Sequence, residues 1–184
     1  MIFLTTLITV LGSAEYLHSK QANLPASRLL VPWHDDGDAL LYSVTNRTLP
    51  QFSAAAYFSE TNRLGNFGPD DFYHFWYLHF KRTDNALFNN ALTSAFLQNI
   101  LNQTGAAGLW LGQSATEKRA WLMILAVQEP PLAGGHLRDQ APAQMQDYIE
   151  RSRHSLSGFF AHVYITEEKA NAIRSTGGPA APTA

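Results

Sequence analysis

The chain has 184 residues and a mass of 20.4 kDa, room for one domain of ordinary size. Apolar residues make up 46% and charged residues 15%, too few charges to keep the chain solvated as a disordered polymer. A formal charge of −2, from 13 basic and 15 acidic residues, gives no electrostatic footprint for nucleic acid, and the lack of cysteine excludes disulfides, thiolate zinc sites and cysteine catalysis in this chain.

In chain order, the first feature is an uncharged run, Ile2 to Leu11, which falls short of the roughly 18 residues needed to span a bilayer as a helix. Three readings stay open for it. Ile2, Thr5, Thr6, Ile8, Thr9 and Val10 are β-branched and Gly12-Ser13 follows, which predicts a buried strand. The small residues Gly12-Ser13-Ala14 suit the end of a signal or anchor segment over 1–14, although no Lys or Arg precedes the apolar core. The third reading is one helix from Ile2 to Lys20. Ala26–Val31 and Asp38–Thr45 read as strands or short helices. The strongest periodicity comes next: Phe88, Leu92, Phe96 and Ile100 recur every four residues, which predicts a helix over 85–103, capped by Thr83 or Asp84 and closed by Gly105. Ala107–Gly112 and Arg119–Val127 read as a hairpin around Ser114-Ala-Thr-Glu117, and the unbroken apolar run of the second strand places it in mid-sheet, covered on both faces. A helix over 142–156, a strand over 159–166 and a short helix over 167–174 follow, and 175–184 has no large side chain to bury and reads as a flexible tail. No internal repeat is visible. The order of elements predicts an α+β fold over 15–174: a mostly antiparallel sheet, with strands near 107–112, 119–127 and 159–166, packed by helices near 85–103 and 142–156.

Candidate chemistry is scattered. His34, Asp35, Asp36 and Asp38 fall within six residues and offer hard-cation ligands, but Asn46 or Arg47 stands where an EF-hand loop needs its bidentate acid. A polar turn is the plainer account. Six of the nine residues from Phe72 to Phe80 are aromatic. Phe72, Tyr73, Trp76 and Tyr77 therefore become candidates for a partner-binding surface, joined by His162 and Tyr164 on one face of the last strand. Asp70 and His74 have the i,i+4 spacing that shares a helix face. His136 and Arg138, after Gly134-Gly135, form a weak candidate for anion binding. The triplets starting at Asn46 and Asn102 fit glycan acceptors only in a secretory route, and Ser155 and Ser157 beside His154 lack the Gly-x-Ser-x-Gly elbow of a serine hydrolase.

No set of these residues shows the nucleophile, base and orienting group that catalysis requires. The expectation is a non-enzymatic protein-binding domain with no cofactor and no nucleic-acid partner. It would be an envelope-associated accessory component of a secretion or pilus assembly, or a neutraliser of another protein, with membrane contact through 1–14. The alternative is a metal-assisted hydrolase built on His34, Asp35, Asp36, Asp38, Asp70 and His74.

Overall fold

The computed structural model describes residues 5–21, 24, 26–33, 37–45, 55–131, 141–155 and 158–176. The chain runs through β1 (Thr6–Gly12), α1 (Ala14–Gln21), β2 (Ser27–Pro32), β3 (Ala39–Thr45) and β4 (Ala56–Gly65), then β5 (Phe72–His79), α2 (Arg82–Ala91) and α3 (Ser94–Thr104). It continues with β6 (Gly108–Ser114), β7 (Ala120–Val127), α4 (Ala143–Arg153), β8 (Phe159–Thr166) and α5 (Glu167–Ser175). The α+β class and the antiparallel sheet expected from the sequence are present. The N-terminal run forms a strand from Thr6, paired on both sides by β3 and β4. Among the described residues no helix is long and apolar enough to cross a membrane.

The sheet closes on itself in the order β1-β3-β2-β8-β5-β7-β6-β4. It divides into two halves of the same topology, β4-β1-β3-β2 and β8-β5-β7-β6, each with the strand order of a split βαβ unit. The halves meet along two antiparallel seams. One, β4–β6, runs from Phe58↔Ser114 to Gly65↔Gly108 with a bulge between Glu60 and Asn62; the other, β2–β8, spans Leu30↔Thr166 to Pro32↔Tyr164. The repeat is one of topology and leaves no trace in sequence, because each half satisfies the same alternation with different residues.

Closure puts two apolar layers on every strand of the second half. Inside lie Leu7, Leu30, Leu40, Phe58, Tyr73, Phe75, Trp110, Leu122, Ile124 and Tyr164. Outside, Trp76, Leu78, Trp121, Met123 and Leu125 pack under α2, α3 and α4 through Phe88, Leu97, Ile100, Met145 and Ile149. The aromatic run is therefore a strand buried on both faces. Phe72, Tyr73, Trp76 and Tyr164 are no more than 3% exposed, which corrects their reading as a docking surface. Tyr77 points into the barrel, where burial raises its pKa. Tyr164 stands edge-on to Phe75 at 5.2 Å, and His162 is half-buried beside it.

The helix expected over 85–103 is two helices, broken at Leu92–Thr93. Lys81, not Thr83 or Asp84, is the first cap residue and makes no side-chain cap bond. Thr93 starts the second helix by accepting the Phe96 amide at 3.2 Å, and Gly105 ends it at φ +65°. Thr93→Ala is expected to cost about 1 kcal/mol in chemical denaturation, the usual worth of such a cap.

Candidate functional site

At the end of the barrel where β5 begins, the inward side chains leave a cavity of about 280 Å³. Its walls come from both halves: Leu7, Ala26, Arg28, Tyr42, Val44 and Arg63 from the first, and Tyr73, Phe75, Trp110 and Ile124 from the second, with Phe67 of the β4–β5 loop at the mouth. Alternation explains the selection. Tyr73 and Phe75 are inward residues of β5, Trp110 of β6 and Ile124 of β7, while their outward neighbours belong to the layer under the helices.

The rings are held by specific contacts. Trp110 Nε1 donates to Glu60 Oε2 at 2.7 Å across the β4–β6 seam, fixing the indole in the wall. Phe67 stacks on Tyr73 with ring centroids 6.5 Å apart and planes 10° from parallel, and the Arg63 guanidinium lies 5.7 Å from the Phe67 ring. The loop that delivers Phe67 starts at Gly65, φ +67°, where a Cβ would stand 2.1 Å from the Ala107 carbonyl oxygen, so only glycine fits that turn. Tyr73 Oη donates to the Gly68 carbonyl at 2.5 Å, and the Gly68 amide donates to buried Asp71 at 2.5 Å, which closes the loop.

Electrostatics divides the cavity into two ends. Arg28 sits between the Tyr42 and Tyr73 hydroxyls, and its pKa is raised, chiefly by Tyr42. Burial raises both phenols, Tyr73 to about 12, and Arg28 offsets only part of that. At neutral pH both tyrosines are therefore protonated, with the Tyr73 hydrogen already given to the Gly68 carbonyl. Arg28 and Arg63 supply positive charge, and no described lining residue is a carboxylate or an imidazole. The arrangement can hold an oxyanion between the guanidinium groups and the Tyr42 phenol, with its apolar body against Phe67, Phe75, Trp110 and Ile124. Among its described lining residues there is no group suited to abstract a proton.

Of the residues singled out from sequence, Tyr73 alone lines this cavity. His34, Asp35, Asp36, His136 and Arg138 lie outside the described residues, as do 177–184. Asp38 and Asp70 are exposed. Because β5 is a strand, Asp70 and His74 do not share a helix face. His74 points to the outside of the barrel, 5% exposed, into a second cavity of about 270 Å³ lined also by Trp76, Thr104, Leu125 and Glu129. Among the described residues no group of three His, Cys, Asp or Glu could hold a metal ion. Arg28, Tyr42, Arg63, Phe67 and Trp110 were missed. They come from four strands and a loop, and no local spacing connects them.

No family model and no curated protein matches the chain. Solved structures do resemble it. A Listeria monocytogenes protein described as an uncharacterized ferredoxin-fold protein related to antibiotic biosynthesis monooxygenases is 15% identical, with 89% of this chain and 94% of that one covered and a TM-score of 0.68. A protein described as a major regulator of staphylococcal pathogenesis is also 15% identical over 89% of this chain and 99% of its own, at 0.66. A heme-degrading enzyme from Listeria monocytogenes is 14% identical over 88% and 99%, at 0.62. These neighbours overturn the expectation of a non-enzymatic protein-binding domain or a metal-assisted hydrolase, since they include monooxygenase-related proteins and a heme-degrading enzyme. Identities this low establish a common fold: two ferredoxin-like halves closing one barrel.

Proposed function

We propose that the barrel cavity binds a small, planar, largely aromatic molecule bearing an ionised oxygen, and that the protein acts on it oxidatively, as the descriptions of several fold neighbours suggest. The observation that carries this reading is the cavity itself, cationic with a phenol donor at one end and ringed by aromatic side chains at the other. A volume of about 280 Å³ suits a molecule of two or three rings. With no base among its described walls, the site favours a ligand that arrives already ionised, such as a phenolate or an aromatic carboxylate. Arg28 and Arg63 would neutralise the charge, Tyr42 would donate to it, and the rings would keep water from an electron-rich substrate.

The test is a fluorescence titration, since Trp110 is part of the wall. 1-Hydroxy-2-naphthoate is expected to quench saturably and its methyl ester to bind at least about tenfold more weakly, because a hydrogen bond to a charged group contributes roughly 1.5–3 kcal/mol. Arg28→Leu should remove most of that preference. Ile124→Trp, which fills the cavity, should abolish both binding and any protein-dependent oxygen uptake. Equal binding of acid and ester, or binding that survives Ile124→Trp, would place the ligand elsewhere and overturn the reading.

A further inference from the structure

The far end of β5 carries a second cluster that the cavity does not use. His79 is six residues beyond Tyr73, about 20 Å along an extended strand. Its Nε2 lies 2.5 Å from Glu117 Oε1, in the β6–β7 turn, and its Nδ1 is hydrogen-bonded to Ser155 Oγ, just past the end of α4. We propose that Ser155, His79 and Glu117 form an acyl-transfer centre, with Ser155 as nucleophile and His79 as general base, acting on small unhindered esters.

The donor inventory assigns the roles. An ionised carboxylate only accepts, so the hydrogen of a neutral His79 sits on Nε2, facing Glu117. The Nδ1 lone pair is then left for Ser155, whose hydroxyl must donate to it. These are the roles by which imidazole removes the proton from an attacking hydroxyl while a carboxylate fixes its tautomer, here with the two ring nitrogens exchanged relative to the usual serine triad.

The frame around the three groups is rigid. Ser152 is fully buried and its hydroxyl accepts the His79 amide at 2.8 Å, while lying 3.1 Å from the His79 carbonyl oxygen and 3.2 Å from that of Gly158. One side chain thus clips the end of β5 to the turn carrying Ser155. That turn is closed by the Ser155 amide on the Ser152 carbonyl at 3.0 Å and by the Gly158 amide on the Ser155 carbonyl at 3.2 Å, with Gly158 at φ +69°. On the other side, the Glu117 amide donates to Ser114 Oγ at 3.1 Å and the Ala120 amide to the Glu117 carbonyl at 2.8 Å. The His79 side chain is 11% exposed and that of Glu117 49%, so the base is sheltered and the cluster opens to solvent.

The reaction balances without a redox partner. Ser155 Oγ bonds to the acyl carbon as its proton passes to His79 Nδ1. The ester C–O bond breaks and the leaving oxygen takes that proton. Water then releases the acid and restores the serine. No backbone donor is assigned to the developing oxyanion, so the acceleration is that of general-base assistance, roughly 10²–10⁴-fold.

The experiment uses the full chain and p-nitrophenyl acetate. Acetylation is expected on the peptide carrying Ser155, read by mass spectrometry, with a matching release of nitrophenolate. Ser155→Ala should abolish both, and His79→Gln should slow acylation about 100-fold. Glu117→Gln, at an exposed position where folding is secure, should slow acylation about tenfold with half-saturation and melting temperature unchanged, the mark of a positioning residue. Ile124→Trp should leave acylation intact, separating this centre from the barrel cavity. Acetyl groups found only on lysines, or a Ser155→Ala protein that reacts as fast as the wild type, would overturn the proposal.

Discussion

Replacing Trp121 by alanine is expected to destabilise the protein by about 3–5 kcal/mol, the range for emptying a buried indole site. Trp121 is 1% exposed and faces outward from β7. Its ring stands edge-on to Phe88 of α2 at 5.4 Å, and its Nε1 donates to Asn85 Oδ1 at 2.8 Å. The substitution opens a cavity between barrel and helices and strips the Asn85 side chain of its partner. Leu87, on the same helix but 52% exposed, serves as the control: Leu87→Ala should stay within about 0.5 kcal/mol. Guanidinium unfolding measures both. A loss under about 1 kcal/mol for Trp121→Ala would mean that the helical layer is not coupled to the barrel.

A second large effect is expected from acid. His74 is 5% exposed, its Nε2 has no hydrogen-bond partner among the described residues, and burial lowers its pKa from 6.5 to about 4. In the unfolded chain the same imidazole takes up a proton near its ordinary pKa. Between those two pKa values the unfolded state therefore holds more protons, and stability rises with pH. The contribution is fully present above pH 6.5 and is lost as pH falls toward 4, by about 3 kcal/mol in all. His74→Leu should remove this dependence while keeping the apolar contacts with Trp76 and Leu125. Unfolding free energies of wild type and His74→Leu, measured from about pH 7.5 down to about pH 4.5, should diverge by about 2–3 kcal/mol. Parallel curves would show that the imidazole meets water more freely than its burial implies.

Much of the second half of the fold was legible because its signals are local. The continuous apolar run Trp121–Ala126 announced a strand covered on both faces, and that is its place between β5 and β6. The same logic applies to Phe72–Phe80, but aromatic bulk and interspersed histidines there resemble an exposed recognition surface as much as a buried strand. Only closure of the sheet, which supplies the second covering layer, separates the two. Tyr164 differs from expectation for that reason: it belongs to the barrel interior, while Phe160 on the same face of β8 is exposed. The break at Leu92–Thr93 was hidden by a four-residue apolar spacing that continues across it. The barrel cavity was illegible for a different reason. Arg28, Tyr42, Arg63, Phe67 and Trp110 are brought together by strand register alone, and each, taken singly, is an ordinary residue on an ordinary strand. The cluster at His79 was equally hidden, because Ser155 and Glu117 lie 76 and 38 residues from it along the chain.

Joining both half-sheets in one polypeptide has a consequence for evolvability. Two identical copies meeting about a two-fold axis would have to present matching walls, and any substitution on one would be imposed on the other. Here the basic wall, with Arg28 and Arg63, is encoded before residue 65, and most of the aromatic wall, with Tyr73, Phe75 and Trp110, after it. Each can drift without its counterpart, so the chamber can become lopsided and grip a molecule whose own two ends are unlike.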